Sequence, residues 1–76
     1  MKTNTASEKE ILLMELKADR NTSPVFSILK RLDVTDTSVT IEVDTVCVPK
    51  RERRRVYHFD RALFTDEELQ FLKNML

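Results

Sequence analysis

Residues 8–20 carry the hydrophobic pattern of an amphipathic helix. The apolar positions of its main face are Leu12, Leu13 and Leu16. Alternating apolar residues would also suit a strand, but nearly all residues of the stretch are strong helix formers. A capping box formed by Ser7 and Glu10 stands before the stretch and favours the helix. Asn21 is suited to end it in the left-handed conformation.

A second helix is predicted from Pro24 to about Leu32 or Asp33. Its apolar residues fall at i, i+3, i+4 and i+7, the spacing of one helical face: Val25, Ile28, Leu29 and Leu32. Ser23 followed by Pro24 is typical of a helix start, since proline at the first helical position loses no hydrogen bond.

Residues 38–48 fit two patterns, and the sequence leaves both open. Apolar and polar residues alternate over 39–44, which is typical of a half-buried strand. Seven of the eleven residues are β-branched, which disfavours a helix. The valines of the same stretch also fall at i, i+4 and i+7, and Thr35 is placed to cap a helix there.

The C-terminal part is predicted to form a strand over 56–59 and a helix over 66–76. Thr65 and Glu68 make a capping box for that helix. Its apolar residues are too many for one narrow face, so they pack either on the protein's own core or on a second copy. The residues of such a homodimer seam would be Leu69, Leu72, Met75 and Leu76.

Charge is unevenly distributed along the chain. The 13 Lys/Arg balance the 13 Asp/Glu. Residues 50–61 nevertheless hold six basic residues against two acidic ones, whereas 1–49 and 62–76 are each net acidic. A solvated charged turn would explain this cluster, but contact with an anionic partner is the other explanation.

The composition argues against catalysis. The chain has no glycine, so it lacks the loops and elbows that nucleotide-binding and nucleophilic enzymes build on that residue. The single Cys47 and the single His58 supply two ligands, whereas a structural zinc site needs four. We therefore expect a non-enzymatic protein with no cofactor and no bound metal.

The sequence also predicts a cytoplasmic protein. No run approaches the roughly 18 apolar residues of a membrane span, and the N-terminus lacks the apolar stretch of a signal peptide. Cys47 alone cannot form an intramolecular disulfide. Residues 1–76 are long enough for one domain, with 1–7 expected to be a flexible tail.

Two short runs resemble parts of a known DNA-binding fold. Leu32–Thr40 resembles the turn and start of the recognition helix in helix-turn-helix proteins, although Asp33 stands where that family has glycine. Arg53–Phe59 is similar to the returning wing strand of MarR- and ArsR-like bacterial regulators. With the order of elements, these runs make residues 8–76 similar to a winged-helix domain.

The resemblance implies an α+β fold with two N-terminal helices, a basic β-hairpin as the wing and a C-terminal helix. It implies a small dimeric transcriptional regulator that binds double-stranded DNA. The wing would contact phosphates through Lys50, Arg51, Arg53, Arg54 and Arg55. The recognition helix would contact DNA through Thr35, Thr37, Ser38 and Thr40.

The alternative is a plain ααββα module in which 38–48 is a strand paired with 54–60. The basic run, residues 50–55, would then lie at a hairpin tip. The protein would be an interaction module, an adaptor or inhibitor, that uses the run against an acidic protein. The neutral total charge favours this alternative, since many DNA-binding domains are strongly basic.

Overall fold

Two helices cover one face of a three-stranded antiparallel sheet. The computed structural model describes residues 3–18, 21–47 and 51–76. The elements are α1 (Ala6–Lys17), β1 (Val25–Val34), β2 (Ser38–Cys47), β3 (Arg51–Asp60), a 3₁₀ turn (Arg61–Leu63) and α2 (Asp66–Asn74). The strand order is β1-β2-β3, so each strand pairs with its neighbour in sequence.

The core lies between the helices and the covered face of the sheet. Three residues of β2 reach it with no exposed surface: Val39, Ile41 and Val43. The helices, the other strands and the connection before α2 supply the rest: Leu12, Leu13, Leu16, Leu29, Phe59, Phe64, Leu69 and Leu72. Alternate side chains of a strand point to opposite faces, and no described helix covers the second face of the sheet, which is called the open face below.

The predicted second helix is wrong, because residues 25–34 form β1. The pairing of β1 with β2 shifts register between Leu29 and Arg31, which is a β-bulge. Leu29 and Leu32 both pack at the core, one on each side of the bulge. The extra residue places Leu29 and Leu32 three positions apart on one face, a spacing that also occurs on a helix, whereas Ile28 lies on the opposite face in register with Asp44.

The winged-helix fold class is wrong for a second reason, because Ser38–Cys47 form strand β2 and not a recognition helix. The ααββα alternative expected a strand here, but it also required the helix that β1 replaces. The β-branched residues fit the pleated surface of a central strand better than a helix. Val48, the last residue of the predicted segment, lies outside the described residues.

The start of α2 agrees with the sequence, but α2 ends at Asn74 and not at residue 76, and α1 differs from its prediction at both ends. The predicted capping box of Thr65 and Glu68 is present. At α1 the capping box is formed by Thr5 and Glu8, and not by the predicted pair Ser7 and Glu10. Both pairs have the spacing of three residues that a capping box requires. The helix therefore starts earlier than predicted, at Ala6, and ends at Lys17 before reaching Asn21. Of the tail predicted over 1–7, only 1–2 lie outside the described residues.

Candidate functional site

Residues Arg51 to Arg55 of the basic run form the first half of β3 and not a wing loop. Arg51, Arg53 and Arg55 alternate on the helix-covered face, the same face that carries the core residue Phe59. Arg54 lies on the open face, in register with Asp44 of β2. Lys50 lies outside the described residues.

Arg55 is part of a polar cluster that closes one end of the core. Its Nη2 donates to the Glu15 carboxylate of α1 and, at 2.6 Å, to Oγ1 of Thr45. Ser27 Oγ donates to the same Glu15 oxygen at 3.1 Å and lies 3.2 Å from Thr45 Oγ1. The guanidinium also stacks over the ring of Tyr57, 5.5 Å from its centroid. Arg55 is thus occupied by contacts within the protein.

The cluster predicts a loss of stability when Glu15 is removed. Nε of Arg55 is buried and has no acceptor among the described residues. Glu15 is the only described carboxylate that forms an ion pair with this guanidinium. We expect Glu15→Ala to lower the free energy of unfolding by about 1–3 kcal/mol, the cost of leaving a half-buried polar group unsatisfied. Urea unfolding measures this. Glu52→Ala, an exposed carboxylate on β3, is the control and should change it by less than about 0.5 kcal/mol.

Arg54 is also occupied. Its Nε lies 3.2 Å from Oδ1 of Asp44 and 3.9 Å from Oε1 of Glu42, both on the open face of β2. The hydrogen bond and the charge of Asp44 raise the pKa of Arg54. Lys30 of the bulge lies 3.9 Å from the other oxygen of Asp44. The open face therefore balances its own charges around Asp44.

Arg51 and Arg53 differ from their neighbours. Both side chains are exposed, and neither has a hydrogen bond or ion pair with any residue that the structure describes. They are two residues apart on one face of β3, about 6.7 Å along the strand. Among the described residues of the basic run, these two arginines are the ones whose side chains have no partner within the protein.

The backbone of β3 adds a second feature, because β3 is an edge strand. At His58 the outward backbone groups bond to the N-terminal segment: Asn4 N–H donates to His58 O at 2.7 Å, and His58 N–H donates to Asn4 Oδ1 at 2.8 Å. In an antiparallel pair these outward groups recur at every second residue. The N–H and C=O groups of Glu52, Arg54 and Val56 therefore also point away from β2.

The hydroxyl residues predicted to contact DNA lie at the other end of the sheet. Thr35 and Thr37 lie in the β1–β2 turn, where Oγ1 of Thr35 accepts from the N–H groups of Thr37 and Ser38. Ser38 is in register with Asp60, and Cys47 with Arg51. Ser38 is thus about 30 Å from the level of Arg51. The structure separates the two halves of the predicted site, and the hydroxyls near Thr35 hold a turn together. Thr40 Oγ1 lies 3.4 Å from Nδ1 of His58.

The residues predicted for a homodimer seam are mostly in the core. Leu69 is 4% exposed and Leu72 is fully buried. Met75 packs against the same core, whereas Leu76 is 66% exposed. Leu69 and Leu72 stabilise the monomer and could line a seam only by leaving that core.

Two further observations bear on function. Within the described ranges, no group of three or more His, Cys, Asp or Glu side chains is placed to hold a metal ion. No helix in the same ranges has the length and apolar character needed to cross a membrane.

Comparison of the chain with protein-family models, with curated proteins and with solved structures finds no match. The candidate site therefore rests on its own geometry. Sequence reasoning singled out Arg51 and Arg53, but it did not predict that β3 is an edge strand or that Asn4 bonds to the backbone of that edge. Both features depend on the three-stranded sheet. The sequence did not predict that sheet, because residues 25–32 have a helical spacing of apolar residues, which predicts a helix.

Proposed function

We propose that this protein is a non-enzymatic binding module that takes an acidic protein segment at the basic half of β3. The observation that carries the proposal is that Arg51 and Arg53 lie side by side, exposed and without a partner among the described residues. Their neighbours Arg54 and Arg55 are held by carboxylates of the protein itself. Two adjacent free guanidinium groups suit carboxylates, which they bind with two parallel hydrogen bonds.

Charge favours a protein over a nucleic acid as the partner. Each phosphate contact steepens the salt dependence of DNA binding by about 0.9 log units per decade, so contacts by Arg51 and Arg53 would give a slope of about −2. Proteins that bind DNA strongly through phosphates make several times as many contacts. The first turn of α2 is acidic (Asp66, Glu67 and Glu68), and the total charge is zero, so little else would attract a phosphate backbone.

The proposal predicts that removing the two free arginines abolishes most of the affinity for an acidic peptide. We expect Arg51→Gln/Arg53→Gln to weaken binding of a Glu-rich peptide by about 5- to 30-fold, the effect of two exposed ion pairs. The measurement is calorimetric or anisotropy titration at low salt. Circular dichroism of the double variant checks that both side chains, being exposed, are dispensable for folding.

A charge-matched variant separates local contact from general attraction. Arg31→Gln/Lys73→Gln removes two other exposed cations, one on β1 and one on α2. It should retain wild-type affinity within about twofold. Equal loss in both double variants would overturn the proposal. Tighter, arginine-dependent binding of duplex DNA than of the peptide would replace the acidic protein with a nucleic acid as the partner.

A further inference from the structure

The edge of β3 offers a way of binding that two arginines alone do not. We infer that the acidic segment binds as an additional strand, pairing with the outward backbone groups of Glu52, Arg54 and Val56. This inference rests on the proposed function, because it specifies how the same partner would be held. Strand addition to a sheet edge takes affinity from the main chain and selectivity from alternate side chains.

The N-terminal segment already uses this edge in the same manner. Asn4 exchanges two hydrogen bonds with the backbone of His58, one through its own N–H and one through its side-chain oxygen. Its side-chain amide is fixed in turn by Glu8, at 3.0 Å. Asn4 therefore closes the edge at His58, and no described residue bonds to the outward backbone groups of the basic half of β3, from Glu52 to Val56.

The arginines define which strand fits. A strand beside β3 places its alternate side chains opposite Arg51 and Arg53, on the helix-covered face and about 5 Å away. Opposite charges in such cross-strand pairs are favourable, and like charges are unfavourable. The segment that fits carries Asp or Glu at every second position. The residues between them are neutral, and their side chains lie on the open face, the face that carries the side chain of Val56.

Charge also argues against a second copy of this chain on the edge. The outward backbone groups allow an antiparallel pair of β3 strands centred on Arg54. Arg54 would then face its own copy, and Arg53 would face Arg55. Three pairs of like charges would lie across that junction, and charged residues on edge strands are a known protection against such self-pairing. An acidic partner removes this repulsion, whereas a second copy creates it.

Amide hydrogen exchange gives a residue-by-residue test. The probe is an acetylated and amidated heptapeptide in which Glu alternates with Thr, added at saturating concentration. We expect exchange to slow by about tenfold or more at Glu52, Arg54 and Val56. We expect little change at Arg53 and Arg55, which already bond to β2. His58 should also change little, because Asn4 occupies it.

A proline variant tests the same pairing by affinity. Val56→Pro removes an N–H that points outward, so the ladder with β2 stays intact, as edge strands allow. It should weaken peptide binding by about tenfold, whereas Val56→Ala keeps the N–H and should change it by less than about threefold.

A peptide of the same composition with its four Glu in one block is the matched ligand. It should bind more weakly than the alternating peptide.

The outcomes distinguish the mode of binding from the function. Arginine-dependent binding with no protection at Glu52, Arg54 and Val56, or equal binding by both peptides, would overturn strand addition and leave the proposed function standing. Protection that extends through His58 would overturn the role of Asn4 as the end of the edge. No arginine-dependent binding of either peptide would overturn both. If Val56→Pro fails to fold, the exchange pattern of the wild-type protein still decides.

Discussion

Replacing Leu72 with alanine is expected to lower the free energy of unfolding by about 2–5 kcal/mol, the range for a leucine truncated in a packed core. Leu72 has no exposed surface and lies in the cluster that joins both helices to the sheet. A domain of this size has only about 4–11 kcal/mol of stability in all. The variant is therefore expected to be marginally folded, which urea or thermal unfolding will detect.

Leu76→Ala is the matched control, since this leucine of the same C-terminal region is 66% exposed. It should change the free energy of unfolding by less than about 0.5 kcal/mol. Light scattering on both variants separates the core from a dimer seam. If Leu72→Ala changed only the oligomeric mass, and left the unfolding of the monomer unaffected, Leu72 would be an interface residue after all.

Replacing Lys9 with alanine is expected to cost about 3 kcal/mol of stability. Its side chain is 8% exposed, and its ammonium lies 2.7 Å from the carbonyl oxygen of Leu63 and 2.9 Å from Oε2 of Glu68. It also lies over the ring of Phe64, 5.4 Å from the centroid. Removing one member of a mostly buried ion pair leaves the other uncompensated, and here the bond that joins α1 to α2 is lost as well.

Lys9→Met, compared with Lys9→Ala, separates the charge of Lys9 from the volume of its side chain, and Lys73→Ala is the control. Lys9→Met loses the same ion pair and hydrogen bonds but keeps the packing of the apolar stem, so it should cost less than Lys9→Ala, about 1–2 kcal/mol. Lys73→Ala removes an exposed lysine of α2 and should change stability by less than about 0.5 kcal/mol. Equal effects of all three substitutions would contradict the role of Lys9 as a link between the helices.

The same ion pair gives a dependence on pH. Burial by itself would raise the pKa of Glu68, but hydrogen bonds from Thr65 and the ammonium of Lys9 outweigh it and lower that pKa. Burial by itself would lower the pKa of Lys9, but the bonds to Glu68 and Glu10 outweigh it and raise that pKa. Glu68 therefore contributes stability above pH about 4.3, and this is lost as the pH falls through its folded-state pKa.

The Lys9 contribution has the opposite sign. It is present below pH about 10.4 and is lost as the pH rises through the raised folded-state pKa. The difference in unfolding free energy between the wild type and Lys9→Met should thus be greatest from about pH 5 to 10 and shrink on both sides. Urea unfolding at pH values from about 3 to 11 measures that difference. A difference that is independent of pH would contradict the assignment of the ion pair.

The basic run illustrates why a charge count is a weak guide to partners. The sequence shows five basic residues over 50–55. The fold places Asp44 and Glu42 beside Arg54, and Glu15 beside Arg55. These carboxylates are 10 to 40 positions away along the chain, so no local pattern could have paired them. Among the described residues of the run, only Arg51 and Arg53 are left without a carboxylate partner, fewer than the charge count suggested.

The sequence by itself determined the features whose causes are local. The strong helix formers of α1, the capping box at Thr65 and the strand at 56–59 all follow from neighbouring residues, and the structure contains each of them. Each depends on backbone preference or on hydrogen bonds across three or four positions.

Only the tertiary structure decided the remainder. Residues 25–32 carry a helical spacing, yet they form a strand, because pairing with β2 satisfies their backbone and a bulge at Lys30 lets Leu29 and Leu32 reach the same core. The edge position of β3 and the freedom of Arg51 and Arg53 depend on contacts between distant segments. Short-range patterns cannot encode such contacts, because each is made only when the sheet brings its partners together.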